Sequence, residues 1–421
     1  MMKKITDFGV FGDGITDVTT ALQNAIDECA EKNTELIIEE GTYIVTGLRL
    51  PSGSVLNLNK GSKILANPDY KAWEVCPDTP FVFSENAENI VIKGEGEFCC
   101  NGVMFRDEVG KRLWGPGPAR TIAFYNSKRI QISGIKISDS ITWTLHFNNC
   151  ENVLVDGITI RNLEYRRSNC SDGIDINGSR HIEIKNCDVE TGDDAICIKN
   201  VDPAKKGTKR EPVCDIYVHD CVLATTCNGF KIGTETVGDV YDVRVENIKL
   251  KRHSDCADSG YPEGMGLPLS AINIESNDGA IVHDISVKNY HAEIAGTPLF
   301  MVLQKRCTIT EDKTPGKIYN IYVENFKVDR SIRPSLINCT QGAYIDNVEI
   351  KNAELHNFET YKGELKAIQA CGRCYPDPYN YGHFPAYGLF GYNVKNLNIH
   401  DDVEFFDEAD SGRECIIIKN D

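Results

Sequence analysis

One short pattern recurs along the chain and restricts its fold more than any other feature: alternating apolar residues, then Asn, Asp or Gly, then more apolar residues. The segments VIKG, ISG, VDG, IKN, VHD, VEN, VKN, VEN, IKN and IHD align as one column. That column holds Gly94, Gly134, Gly157, Asn186, Asp220, Asn247, Asn289, Asn325, Asn352 and Asp401. These residue types tolerate a left-handed backbone or cap a turn, so the column predicts one bend per coil of a β-solenoid. The shortest interval is the 23 residues from Gly134 to Gly157, and longer ones contain insertions such as VDPAKKGTKREPVC and KRHSDCADSGYPEGMGLP. The strands are rich in Val and Ile with a period of two. Only DVTTALQNAIDECAEK has helical spacing, which suits a cap over the open N-terminal edge. The expected fold is all-β, a single-domain parallel solenoid over 1–421. Residues 1–60 supply the cap and first coils, and 370–395 an aromatic loop near the C-terminal end.

Composition narrows the partners. A net charge of −17 argues against nucleic acid or an anionic membrane surface and mildly disfavours tight capture of a long polyanion. The opening MMKKITDFGVFGDG has no apolar h-region behind its lysines, and no stretch reaches the ~20 apolar residues of a membrane span. A cytoplasmic protein is expected, and homo-oligomerisation stays open. Seventeen cysteines are spread along the chain, with Cys150, Cys187 and Cys221 in matching NNC, KNC and HDC contexts. That suits buried reduced thiols better than a disulfide framework. CGRC, at Cys371 and Cys374, has no second CxxC to complete a zinc site.

The run SDGIDINGSRHIEIKNCDVETGDDAICIKN, residues 171–200, places Asp172, Asp175, Asp193 and Asp194 in a strand-like apolar setting. Asp172 precedes Asp193 and Asp194 by 21 and 22 residues, about one coil. Parallel strands in neighbouring coils lie ~4.8 Å apart, so three carboxylates are expected to cluster on one exposed sheet. Like charges raise one another's pKa, which predicts that one member stays protonated near neutral pH. A proton donor beside a water-activating base is the apparatus of glycoside hydrolysis. Turn formation by Asp-Asp and Ca²⁺ binding by a stacked acid cluster are equally open on the residues alone.

The chain resembles the polygalacturonase family, glycoside hydrolase family 28, along most of its length. DFGVFGDGITDVTTALQNAIDEC and GTYIVTGLRLPSGSVLNLNKGSKILAN look like the family's cap and first coils. ISDSITWTLHFNNCENVLVDGITI resembles its central coils, and SDGID followed by TGDDAICIK matches its Asn-Thr-Asp-Gly and Gly-Asp-Asp motifs. The resemblance implies a right-handed parallel β-helix of the pectin lyase-like type and an inverting single displacement. It implies Asp193 as general acid, Asp172 and Asp194 as activators of water, and no cofactor or metal. Asp175 has no catalytic counterpart and is read as an inward or supporting carboxylate.

Departures from the family bear on specificity. Its Gly-His-Gly segment aligns with CNGFKIGTE, putting Asn228 where the histidine stands, and Asn cannot titrate. His253, His291 and His383 are candidate substitutes. Its Arg-Ile-Lys motif aligns with SAINIES, putting Asn273 and Glu275 where two cations stand. That exchange disfavours a uronate and favours a neutral sugar, unless Lys231 or Arg306 supplies the charge. CYPDPYNYGHFPAYGLFGY suits a loop that folds over the groove and stacks on sugar rings, with a terminal cap or subunit contact as the alternative. Trp143 is a further ring candidate, while Trp73 and Trp114 have no assigned place. The expected substrate is a pectin-derived oligosaccharide cut from a chain end, neutral or mixed in rhamnose, galactose and galacturonate. Rival functions are a lyase or epimerase on the same solenoid, or a carbohydrate-binding solenoid without catalysis.

Overall fold

The computed structural model describes residues 1–75, 79–107, 117–162, 170–202, 210–254, 267–306 and 314–421. Trp114 and most of the insertions at 201–214 and 251–268 lie outside these residues. The chain forms two compact units, Met1–Asp193 and Asp194–Asp421, each a stack of right-handed parallel β-helical coils. Among the described residues no helix is long and apolar enough to cross a membrane.

In the first unit, the helix Thr19–Glu31 turns Leu22, Ala25, Ile26, Cys29 and Ala30 inward, as its apolar spacing predicts. The coils that follow stack like on like. Ile90, Ile130, Val153 and Ile182 form one buried row, and Val82, Ile122, Leu145 and Ile174 another. In the second unit Val218, Val245, Val287, Val323 and Ile350 repeat the arrangement, as do Ile198, Ile232, Ile274, Met301 and Ile337. Each such side chain taken from water is worth ~1.5–3 kcal/mol, so the core is a sum of many equal layers.

Nine of the ten column residues adopt φ between 46° and 114°. The exception, Asp401, sits in a turn that interrupts the strand Val394–Ile399 before Val403–Asp407 resumes. In the second unit the column is also a ladder of amides. Asn247 Nδ2 donates to Asp220 (2.9 Å), Asn289 to Asn247 (2.8 Å), Asn325 to Asn289 (2.7 Å) and Asn352 to Asn325 (2.6 Å). The thiols of Cys150, Cys187 and Cys221 are buried and donate to backbone carbonyls, as expected of reduced cysteines.

The aromatic loop lies at 358–385 rather than 370–395, because AYGLFGY belongs to a coil strand, Ala386–Tyr392. This segment is a strap over the face opposite to Ile274, Met301 and Ile337. Its Ala370, Tyr381 and Phe384 pack on Phe300, Val302, Leu336 and Phe390. Polar ties fix it: Ala370 N donates to Asn338 Oδ1 (2.8 Å), Tyr381 Oη to Gln304 Oε1 (3.1 Å) and Gln304 Nε2 to Cys374 O (3.3 Å). Arg333 Nη1 donates to the carbonyls of Pro378 and Gly382 at 3.1 and 2.8 Å. Gly372 has φ +72°, and a Cβ there collides with the carbonyl oxygen of Lys305. Gly372→Ala is therefore expected to cost on the order of 1–3 kcal/mol of local strain and unseat the strap. Limited proteolysis should cut within 358–385 much faster than in the parent, with the far-UV spectrum of the coils unchanged.

Candidate active site

The first unit carries Asp172, Asp175 and Asp193. Asn162, buried, holds the backbone around them. Its Oδ1 accepts from Ser140 N (2.9 Å), and its Nδ2 donates to Thr144 Oγ1 (2.8 Å) and Thr191 Oγ1 (2.9 Å). Thr144 N in turn donates to the Asp172 carbonyl (2.8 Å), and Thr191 Oγ1 to the Ser171 carbonyl. Asp172 is 3% exposed, whereas Asp193 is half-buried and its Oδ2 accepts from Cys170 N (2.5 Å). Asp175 is not inward. Ile174 and Ile176 take the core side of that strand, and Asp175 lies in register with His146 on the outer face. On the same strand system Trp143 stands edge-on to His146 (4.9 Å), and the Arg120 guanidinium lies over the Trp143 ring at 4.2 Å.

The second unit carries Asp194, Asn228, Lys231, Asn273 and Glu275. The register pairs Cys197 with Lys231 and Lys231 with Asn273, so these side chains form one row on a single sheet face. Lys231 Nζ lies 3.1 Å from Asp194 Oδ2, with side chains 4% and 3% exposed. Asn228 Nδ2 donates to Asp194 Oδ1 at 2.5 Å, and Asn228 Oδ1 accepts from Ser270 Oγ (2.6 Å) and Asn273 Nδ2 (3.1 Å). Glu275, fully buried, accepts at Oε2 from Asn277 Nδ2 (2.7 Å). Its carboxylate fits because residue 233 is glycine: a Cβ there would lie 2.7 Å from Glu275 Oε2. Tyr375, on the strap, is exposed yet ties its hydroxyl to Thr234 Oγ1 (3.0 Å).

The charges follow from these contacts. Burial raises the Asp194 carboxyl, but the Lys231 and Lys199 ammoniums and the Asn228 amide overcome it, holding it down to about 2. Lys231 is raised well above its usual range by Asp194 and Glu275 against its own desolvation. Glu275 is raised to about 7, with burial the main cause and Lys231 and the Asn277 and Asn273 amides opposing. Asp194 is thus an ionised member of the acid group. A carboxyl that stays protonated toward neutrality is Glu275, through desolvation. The sequence predicts an exposed cluster, but Asp172 and Asp194 are buried. The cation beside Asp194 is an ammonium of the chain itself, which lowers the pull on a Ca²⁺ there.

Of the other sequence candidates, Arg306 Nη2 is paired with Asp278 (2.7 Å) and donates to Thr234 O (3.3 Å). His383 stacks on Tyr361 at 3.4 Å and faces Glu359 (2.9 Å). His291 pairs with Asp329 (2.7 Å), and His253 is buried. Lys231 and Asn228 meet Asp194. Trp73 is a core residue donating Nε1 to Asn67 O (3.0 Å). Asn162 and Arg120 escaped sequence reasoning, whereas Tyr375 lies in the aromatic segment it singled out.

Residues 60–203 match the family model Glycosyl hydrolases family 28. A probable polygalacturonase of Vitis vinifera is 27% identical over 274 residues, 58% of this chain and 54% of its own length. The chain thus spans about half the length of that relative. Solved structures share the fold. The exopolygalacturonase of Thermotoga maritima gives a TM-score of 0.68 at 19% identity, covering 94% of this chain and 92% of that one. The family 28 exopolygalacturonase of Yersinia enterocolitica gives 0.67 at 17% identity, covering 100% and 78%.

Glu275 and Asp194 contribute to stability in opposite pH windows. The folded state holds the Glu275 proton more tightly than the unfolded chain, which releases it near 4.5. Its contribution is full below pH 4.5 and is lost as pH rises through about 7, a fall on the order of 3 kcal/mol. Asp194 contributes above pH 3.8 and loses that contribution as pH falls through about 2. Denaturant unfolding from pH 4.5 to 7.5 should show the Glu275 loss in the parent, and a flatter profile over that window in Glu275→Gln.

Proposed function

We propose that this protein is an inverting glycoside hydrolase that shortens pectin-derived oligosaccharides from a chain end. The observation that carries the proposal is the contrast between neighbours: Asp193 is half-buried, while Asp194 is buried and held ionised by Lys231. Asp193 donates its proton to the glycosidic oxygen as the bond to the anomeric carbon breaks. Water adds to that carbon from the opposite side and loses a proton. Asp194, too weak a base to be the acceptor, orients the water, and Asp172 takes the proton.

Action from a chain end is supported by the strap, which stands across the outer sheet face of the C-terminal coils and presents the Tyr375 ring. The names of the relatives, polygalacturonase and exopolygalacturonase, favour a pectic substrate. The cations that would clamp a uronate are otherwise engaged. Lys231 is held by Asp194, Arg306 by Asp278, and Asn273 and Glu275 are buried in amide contacts. A guanidinium does stand beside an aromatic face at Arg120 and Trp143. We therefore assign a mixed substrate, neutral where Asn273 and Glu275 replace cations and carrying a carboxylate that Arg120 meets.

Asp193→Asn is expected to lower turnover at least 10²-fold with the melting temperature nearly unchanged. Proton NMR of the first product should show an inverted anomer; a retained one refutes the single displacement. Mass spectrometry of products from galacturonan, rhamnogalacturonan and neutral rhamnosyl or galactosyl oligosaccharides identifies the unit released. Arg120→Ala should raise KM about tenfold for acid-bearing substrates, the worth of one charged hydrogen bond, and leave neutral ones unaffected.

A further inference from the structure

We propose that Lys231 and Glu275 together take over the task of the absent family histidine: Lys231 positions Asp194, and Glu275, by gaining or losing a proton, sets how firmly. The proposal rests on the hydrolytic reading above. Its basis is geometric. Lys231 Nζ is the cation at 3.1 Å from Asp194, and the Asn228 amide supplies the hydrogen bond at 2.5 Å that fixes the other carboxylate oxygen. Asn273 Nδ2 orients Asn228 in turn. Glu275 projects from the next strand into the space left by Gly233, where it acts on Lys231 by charge.

The groups facing Glu275 from the surrounding elements are Lys231, Asp194, Arg306, the phenols of Tyr375 and Tyr381, and the amides of Asn273 and Asn277. Asp194 and Lys231 keep opposite charges through neutrality, Arg306 is paired with Asp278, and both phenols are raised above their usual range. Glu275 is thus the member whose charge changes near pH 7. Protonated, it leaves Lys231 to Asp194. Ionised, it puts a second anion beside the same ammonium, and Lys231 is shared between two carboxylates. Asp194 then loses part of its hold and the attacking water its orientation.

The test is kcat/KM against pH from 5 to 8.5 on a hydrolysed oligosaccharide, each protein normalised to its own acid plateau. The parent should fall above pH 7, and Glu275→Gln, which cannot ionise, should hold its plateau, giving a five- to tenfold higher normalised value at about pH 8. Asn277→Ala removes a hydrogen bond that favours the ionised form, so it should move the parent's limb upward by less. Selective carboxyl-carbon labelling of glutamate, read by NMR in the parent, should show one resonance titrating near neutrality that is missing from Glu275→Gln. Superimposable profiles for parent and Glu275→Gln overturn the proposal, as does the absence of that resonance. A parent that releases sugar from no pectic oligosaccharide overturns the hydrolytic reading instead, and the NMR titration distinguishes the two failures.

Discussion

A stack of parallel coils tolerates no drift: each coil has to turn at the same place for its strands to meet those above and below. In this chain that requirement is met by left-handed residues once per coil, and in the second unit their side-chain amides bond to one another from Asp220 to Asn352. The ladder gives register where the apolar rows cannot. Val245 and Val287 would pack as well one coil out of step, but an asparagine whose amide misses its neighbour forfeits a hydrogen bond worth ~0.5–1.5 kcal/mol. With register fixed, a row such as Cys197, Lys231 and Asn273 is placed without further cost.

What such a row can hold is governed by desolvation. An unpaired charge at the depth of Asp194 is prohibitive, and removing one partner of a buried pair typically costs ~3–5 kcal/mol. Lys231 answers the charge of Asp194 at contact distance, and Lys199 adds to its hold. Glu275 then has no cation of its own: Arg306 belongs to Asp278, and Asn277 and Asn273 offer only dipoles. Its carboxyl keeps a proton that an exposed glutamate would shed. The electrostatics of the cluster are thus those of two acids sharing Lys231, with Asp194, which Lys199 also supports, ionised throughout.

The sequence made the repeat legible because a bend needs particular residue types, and nine of ten column positions turn as expected. A second line of left-handed residues was not, since it includes Arg129 and His181, which advertise no such conformation. The strap's boundaries were misjudged because Gly388 and Gly391 in AYGLFGY read as loop residues. They are strand glycines pressed against Phe405 and the Cys415 carbonyl, and against Ile418. For the candidate site, a motif singles out the acids, but not their burial or protonation. Spacing reveals proximity between carboxylates and says nothing of the lysine that arrives from the next strand. Lys231 was visible as a residue, yet its partner depends on which face of GFKIG is outward, and that is decided by Phe230 and Ile232 filling the core.

The strap and the charge cluster depend on each other through water. Tyr375 ties to Thr234, next to Gly233, whose missing side chain makes room for Glu275, and Gln304 ties Cys374 and Tyr381 to the neighbouring strand end. The apolar faces of Phe300, Leu336, Tyr381 and Phe384 close the same region. Desolvation is the leading cause of the raised Glu275 carboxyl, so whatever lets water under the strap lowers it and ionises Glu275 at a lower pH. A strap that stays seated does the reverse and keeps Glu275 protonated. Seating of the strap and the hold of Lys231 on Asp194 are then linked by the same proton, with no movement of the coils required.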